Sequence, residues 1–262
     1  MLSMRNVSVT YGNNPVPAVE NFSLEMKQGE IISIVGESGS GKTTVIRAVL
    51  GCLPGGGYVS RGEISFEGRP VSGFGREEWR RLRGTEISMI FQDSGAMLNP
   101  VRRIGSQYVE YIRTHEKMGR RAAWERGARM LEQMRLPDGE HIMRSYPFQL
   151  SGGQRQRVGI AMAMTFQPKL LLADEPTSAL DVTTQAQIVR QMLKLREEYH
   201  TGIIMVTHNL GVAAYMADRI LVMKEGHIVD AGTREQILAH PSSAYTRNLL
   251  DSVPALGGYR FV

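Results

Sequence analysis

Apolar positions along this chain fall into three regimes. In the N-terminal third, short apolar runs and period-two alternation predict strands over Leu2 to Thr10, Ile31 to Val35, Glu63 to Phe66 and Glu86 to Phe91, separated by glycine and asparagine clusters. From about Asp93 to Leu150 the apolar period lengthens to that of a helix and charges multiply, as in Tyr111 to Met118 and Arg120 to Met134, until Pro137-Asp138-Gly139 interrupts it. This stretch reads as an inserted helical region. Beyond Gln154 helix and strand alternate: a helix to about Thr165, a strand Lys169 to Ala173, a helix Thr183 to Tyr199, a strand Ile203 to Thr207 and a helix Leu210 to Ala217. Such alternation is the pattern of a parallel sheet with crossover helices. Arg219 to Met223 and Gly226 to Asp230 predict a hairpin turning at Glu225-Gly226, with a short helical tail behind it.

Composition narrows the class. The 262 residues are 42% hydrophobic and 22% charged, enough for one large domain or two small ones and incompatible with disorder or a fibrous repeat. Basic residues exceed acidic ones by 31 to 26, a mild excess that favours anionic partners without choosing among nucleotides, nucleic acid and lipid headgroups. A single cysteine, Cys52, leaves no internal disulfide and no cysteine-rich metal spacing, which fits a reducing compartment. Arg5 and Asn6 fall where a signal peptide has its apolar core, and no later stretch approaches the roughly 18 uninterrupted apolar residues of a membrane span. The expectation is a chain that neither crosses a membrane nor carries a visible export signal.

The strand Ile31 to Val35 is followed at once by Gly36-Glu37-Ser38-Gly39-Ser40-Gly41-Lys42-Thr43 and the helix-forming run Thr44 to Leu50. This is a phosphate-binding loop in its required strand–loop–helix context. Glycines at 36, 39 and 41 let successive N–H groups approach phosphate oxygens, and Lys42 adds a point charge. The helix beginning near Lys42 turns its positive end to the same anion, while the Thr43 hydroxyl is placed to ligate magnesium. A second apolar run, Leu170-Leu171-Leu172-Ala173, ends in Asp174-Glu175, at the strand edge where ligands of parallel sheets bind. Asp174 would hold magnesium through water. Glu175 would polarise a water for in-line attack on the γ-phosphate and is the candidate catalytic base. Read alone, the two acids are ordinary turn formers before Pro176-Thr177.

Leu150-Ser151-Gly152-Gly153-Gln154, followed by Arg155-Gln156-Arg157 and a helix, exceeds ordinary turn chemistry. With it the sequence resembles the ABC-type ATPases over nearly the whole chain, its motifs in the family's order: Tyr11, the loop 36–43, Gln92, the signature 150–154, Asp174-Glu175, Ser178-Ala179-Leu180-Asp181 and His208. The resemblance implies an α/β fold, a RecA-like P-loop NTPase core with an N-terminal antiparallel β subdomain and an inserted α-helical subdomain. It implies an ATP-binding domain over 2–251, the helical subdomain at about 93–155, and a tail at 252–262. It also implies ATP and Mg2+ as cofactors. Gly36, Ser38, Gly39, Ser40, Gly41, Lys42, Thr43 and Thr44 would form the ATP cradle. Ser151, Gly152, Gly153 and Gln154, at a helix N-terminus, would cap ATP held by a second ATPase subunit, identical or a paralogue. Asp181 would shape that dimer interface.

Three positions carry two readings each. Tyr11 either stacks on adenine or is an edge aromatic packed on the core. Gln92 either contacts magnesium and the attacking water, linking them to the insert, or is a polar loop residue. His208 either contacts the γ-phosphate and holds Glu175 and water, or caps a strand end.

Further stretches resemble the ATPase subunits of the peptide and nickel importers: Val35 to Lys42, Arg83-Gly84 before Ile87 to Asp93, Leu98-Asn99-Pro100 with Ile104-Gly105, and Tyr245 to Leu250 ending near Pro254. Ser94 stands where that family commonly has proline, and Ser243-Ala244 where it commonly has His-Pro. The tail lacks the cysteine cluster of some peptide-importer members, so an iron–sulfur site is not expected; this weakens a peptide substrate slightly and leaves nickel, metal chelates or other small solutes open. The resemblance implies a peripheral subunit on the cytoplasmic face of the membrane, partnered by two transmembrane permease subunits and, indirectly, an extracytoplasmic solute-binding protein. The competing function is an accessory ATPase of a soluble enzyme complex. A nucleic-acid partner is not expected, since the chain has neither a long coiled coil nor the length for two fused ATPase domains. Fifteen methionines scattered through apolar segments read as core filler, the basic run Arg113 to Arg129 as a solvated helix face, and Cys52 as a buried small hydrophobe.

Overall fold

The computed structural model describes residues 1–12, 14–177, 182–252, 255–256 and 259–260. Asp181, the loop Ser178-Ala179-Leu180 before it, and Pro254 lie outside the described residues. In chain order the elements begin with β1 (Leu2–Tyr11), β2 (Val19–Met26), β3 (Ile31–Val35), α1 (Lys42–Val49), β4 (Gly57–Phe66), β5 (Arg69–Pro70) and α2 (Arg76–Leu82). There follow β6 (Ile87–Ile90), α3 (Ile104–His115), α4 (Arg120–Gln133), α5 (Gly139–Arg144), α6 (Gly152–Met164), β7 (Leu170–Asp174) and α7 (Val182–Tyr199). The chain continues through β8 (Gly202–Thr207), α8 (Leu210–Met216), β9 (Arg219–Lys224), β10 (His227–Thr233), α9 (Arg234–Ala239) and α10 (Ala244–Asp251), and ends with the paired two-residue strands β11 (Ala255–Leu256) and β12 (Tyr259–Arg260). Two compact units result, Met1–Glu78 with Gly202–Val262, and Trp79–Thr201.

The first unit holds two sheets. One is antiparallel in the order β2-β1-β4-β5. Its β2 buries Val19, Phe22, Leu24 and Met26 against exposed positions between them, the period of a strand with one wet face. The sequence reading missed it, and the break is local: Asn21 has φ +50°, which interrupts the alternation. The exposed first half of β4 was missed because it has no apolar period to read. Opposite the irregular stretch of β1, Gly62 has φ +83°, and a Cβ there would lie 2.3 Å from the Asn6 carbonyl oxygen. The other sheet of this unit places β3 between β8 and β9, parallel to both, with β10 returning antiparallel. All five residues of β3 and all six of β8 are buried, as expected for parallel strands covered on both faces.

The second unit pairs β6 with β7 in parallel and gathers the helices α3 to α6. Small residues set how closely these helices approach. A Cβ on Gly105 would lie 2.3 Å from the Trp124 ring, and one on Gly139 would lie 2.3 Å from the Ala128 carbonyl oxygen. Trp124 Nε1 donates to Glu140 at 2.7 Å, tying α4 to α5. Thr165 Oγ1 donates to the Ala161 carbonyl, so the buried Tyr108 hydroxyl at 2.9 Å is the donor to Thr165. Burial pushes the Tyr108 phenol well above its usual range, and the neighbouring Tyr111 phenol up to about 12.

Nine of the fifteen methionines are buried, in keeping with core filler. The basic run is more varied than a solvated face: Arg126 donates to the Thr165 carbonyl at 2.8 Å, pairs with Glu116 and lies 4.9 Å from the Phe166 ring centre. Cys52 corrects the sequence reading. It is exposed, because α1 ends at Val49 and Gly51, at φ +61°, turns the chain outward before Cys52.

Candidate functional site

The loop 36–43 of the first unit is held by backbone geometry. At Gly36 (φ +153°) a Cβ would sit 2.1 Å from the Met223 carbonyl oxygen of β9, so no side chain fits where the loop leaves β3. Gly39 and Gly41 take φ +81° and +98°; Gly39 has open space around it, and its glycine answers to conformation alone. Gly41 opens α1, whose first N–H groups have no acceptor within the helix and point along its positive end. Lys42 is only 5% exposed and curls back over the loop, its Nζ donating to the carbonyls of Gly36 at 2.8 Å and Glu37 at 2.6 Å. The Gly226 N–H, in the β9–β10 turn, donates to the Ser40 carbonyl at 3.1 Å.

Two predicted residues join this loop. The Tyr11 hydroxyl is 3.3 Å from Thr44 Oγ1 on α1, and its half-buried ring lies against Gly57, where a Cβ would approach it to 2.5 Å. The edge of β1 thus brings an aromatic beside the phosphate loop. His208 follows β8, in which Thr207 pairs with Val35, the residue before Gly36. It is therefore at the loop end of the neighbouring strand, and it is exposed. Capping of α8 falls to the next residue, Asn209, whose Oδ1 accepts from the N–H groups of Gly211 and Val212.

In the second unit Ile90 of β6 pairs with Ala173 of β7, so the two parallel strands release Gln92 and Glu175 at the same end. Gln92 Nε2 donates to Glu175 Oε2 at 3.3 Å. Asp174 ends β7 and is 4% exposed. Glu175 takes φ +44°, a backbone conformation that costs a non-glycine residue about 1–3 kcal/mol and is concentrated at functional positions.

The signature opens α6 with a capping box: Gln154 N–H donates to Ser151 Oγ at 3.2 Å, and Ser151 N–H to Gln154 Oε1 at 2.8 Å. A Cβ on Gly153 would press on Thr184 at 2.9 Å, whereas one on Gly152 would meet nothing within 4 Å among the described residues. Packing among the described residues therefore explains Gly153 but not Gly152.

Sequence reasoning passed over one organiser of this region. Gln156, buried at 6% exposure, donates from Nε2 to the Pro176 carbonyl at 2.7 Å and accepts the Ser94 N–H at Oε1 at 3.3 Å. It links the segment after Gln92 to the segment after Glu175. The signal available was the position itself, a glutamine on the first turns of a helix otherwise burying apolar residues.

Strand, glycine loop and helix in the first unit are those of a P-loop nucleotide-binding protein. The family model described as ABC transporter matches residues 19–178, and the chain belongs to that family. It is 44% identical over 98% of its length to the oligopeptide transport ATP-binding protein OppD of Bacillus subtilis, spanning 72% of that protein. It is 42% identical over 98% of its length to the dipeptide transport ATP-binding protein DppD of Lactococcus lactis, spanning 74% of it. Among solved structures it is similar to the dimeric bacterial ABC transporter cassette MJ0796, with TM-score 0.79, 30% identity and coverage of 89% of this chain and 99% of that one. The same cassette is also known in a dimeric post-hydrolysis state bound to ADP and Pi, at TM-score 0.78. The fold is thus that of an ABC ATPase, and the chain is an ATP-binding, ATP-hydrolysing subunit. These relatives are transport subunits, the first of the two functions weighed from the sequence and not the second.

Proposed function

We propose that this chain energises the import of peptides or peptide-like small solutes. It would act at the cytoplasmic face of a membrane, beside two permease subunits and a second ATPase subunit. An extracytoplasmic solute-binding protein would reach it only through the permease. The observation that supports this reading is the 44% identity, over 98% of the chain, with a subunit whose name specifies oligopeptide transport. Peptide cargo is preferred to nickel or a metal chelate on the same ground. No helix among the described residues is long and apolar enough to cross a membrane, which suits a peripheral subunit.

In this reading Gly36, Ser38, Gly39, Ser40 and Gly41 bind phosphate oxygens through their backbone, Lys42 and Thr44 complete the cradle, and Tyr11 lies against the adenine. The Thr43 hydroxyl, the Gln92 amide oxygen and the Asp174 carboxylate are hard oxygen donors that suit Mg2+, which when bound neutralises phosphate charge. Glu175 orients the attacking water and takes its proton, steadied by Gln92 at 3.3 Å. His208 binds the γ-phosphate. Ser151, Gly152, Gly153 and Gln154 close over ATP held by the second subunit, the open space at Gly152 leaving room for that approach. Asp181 lines the dimer contact. The helical segment 93–155 receives the permease and carries closure to it.

The test is to purify the Glu175→Gln form with ATP from its native host in mild detergent and identify the co-purifying chains by mass spectrometry. Two membrane proteins with a second ATPase are expected. Recovery of soluble enzyme subunits alone would overturn the reading.

A further inference from the structure

The C-terminal helix reaches the phosphate loop. Tyr245, in the first turn of α10, accepts a hydrogen bond at its hydroxyl from the Glu37 N–H at 3.1 Å. Everything behind that hydroxyl is fixed. Asp230, buried at 8% exposure, accepts from the Ser242 N–H and hydroxyl at 2.9 and 2.8 Å and from the Ser243 N–H at 3.0 Å, which pins the connection into α10. Ser243 Oγ accepts from the Tyr245 N–H at 3.2 Å. Leu250 belongs to the same apolar cluster as Val35, the residue before Gly36, and Leu249 and the Tyr245 ring pack against that cluster. Lys224, before the turn whose Gly226 supports Ser40, lies 5.4 Å from the Tyr245 ring centre.

The Gly36–Glu37 peptide group is therefore gripped at its two ends: its carbonyl by Lys42 and its N–H by Tyr245. We propose that Tyr245 is a positioning residue for nucleotide binding, its hydroxyl holding the entrance of the phosphate loop in the conformation that receives the phosphates of ATP. The inference rests on the reading of loop 36–43 as the ATP cradle. A loop held in its binding conformation before the ligand arrives loses less entropy on binding. A hydrogen bond of this kind supports a three- to tenfold change in affinity, about 0.7–1.4 kcal/mol.

Tyr245→Phe keeps the ring, its packing and its place beside Lys224, and removes only the hydroxyl. For the full-length chain the dissociation constant and KM for ATP should rise about three- to tenfold, with kcat within twofold and the thermal midpoint unchanged. Amide hydrogen exchange should quicken at Glu37 while α10 keeps its protection. Tyr245→Ala, which also removes the ring, should lower the thermal midpoint as well. Wild-type ATP affinity in Tyr245→Phe would overturn the proposal, as would an affinity loss matched by a loss of thermal stability. If the wild-type chain itself failed to bind ATP, the cradle reading would fall with it; normal wild-type binding and an indifferent Tyr245→Phe would remove this inference alone.

Discussion

The loop 36–43 and the Gln92–Glu175 region are shaped by opposite means. The loop is shaped by backbone: Gly36 clears a carbonyl oxygen, Gly39 and Gly41 take left-handed conformations, and Lys42 bonds to carbonyls of its own loop. The acidic region is shaped by side chains: Gln92 on Glu175, and Gln156 between Ser94 and Pro176. Tolerance to substitution should differ accordingly. In the loop, conformation is the vulnerable property and the serines are secondary. In the acidic region, single amides hold segments in place.

Glu175→Gln should have the largest effect, lowering ATP turnover by about a hundredfold or more with ATP binding retained, since it removes the candidate base and keeps the shape. Rate and affinity measured on the same preparation check it, and near-normal turnover would remove Glu175 from the chemistry. Gly36→Ala should abolish nucleotide binding, because a methyl group 2.1 Å from a backbone oxygen forces the loop or β9 to move. Ser38→Ala in parallel should bind ATP within a fewfold of wild type; equal losses in the two would erase the contrast between backbone and side-chain control. Gln156→Leu should cost about 2–3 kcal/mol in denaturant unfolding, since it leaves the Ser94 N–H and the Pro176 carbonyl without their partner. Turnover should fall more than ATP affinity. Ser151→Ala should cost about 1 kcal/mol through the lost helix cap, read as a shift in thermal midpoint.

The smallest effect is set by pH. Burial, with the Arg80 charge adding to it, holds the His115 imidazole below its ordinary value, so the folded chain binds fewer protons there than the unfolded one. Stability should therefore decline as pH falls below the ordinary histidine value near 6.5, and His115→Gln should flatten that slope. An unchanged slope in unfolding midpoints between pH 7 and 5 would assign it to other groups.

Much of this was legible in the residues because the physics is contiguous. The pattern of loop 36–43 lies in one unbroken stretch between β3 and α1, and the helix of the signature carries its cap within four residues. The strand Ile31–Val35 and the hairpin turn at Glu225-Gly226 fall where the apolar runs put them, because buried parallel strands and tight turns write themselves locally. The elements that escaped had weak local signals. β2 is broken by Asn21, half of β4 is exposed, and α2 and α5 are seven and six residues long, too short for a helical period to stand out.

What tertiary structure decided is of another kind. That Gln156 spans Ser94 and Pro176, 62 and 20 residues away, is a fact about which segments meet. So is the 208-residue reach from Glu37 to Tyr245, and the fit of Gly105 beneath Trp124. By itself the sequence determined the class of protein, because the loop 36–43 and the signature 150–154 are each residue types at fixed short spacing. The supports of those motifs were settled by folding, since an amide or a hydroxyl acquires its role only from the group that arrives opposite it.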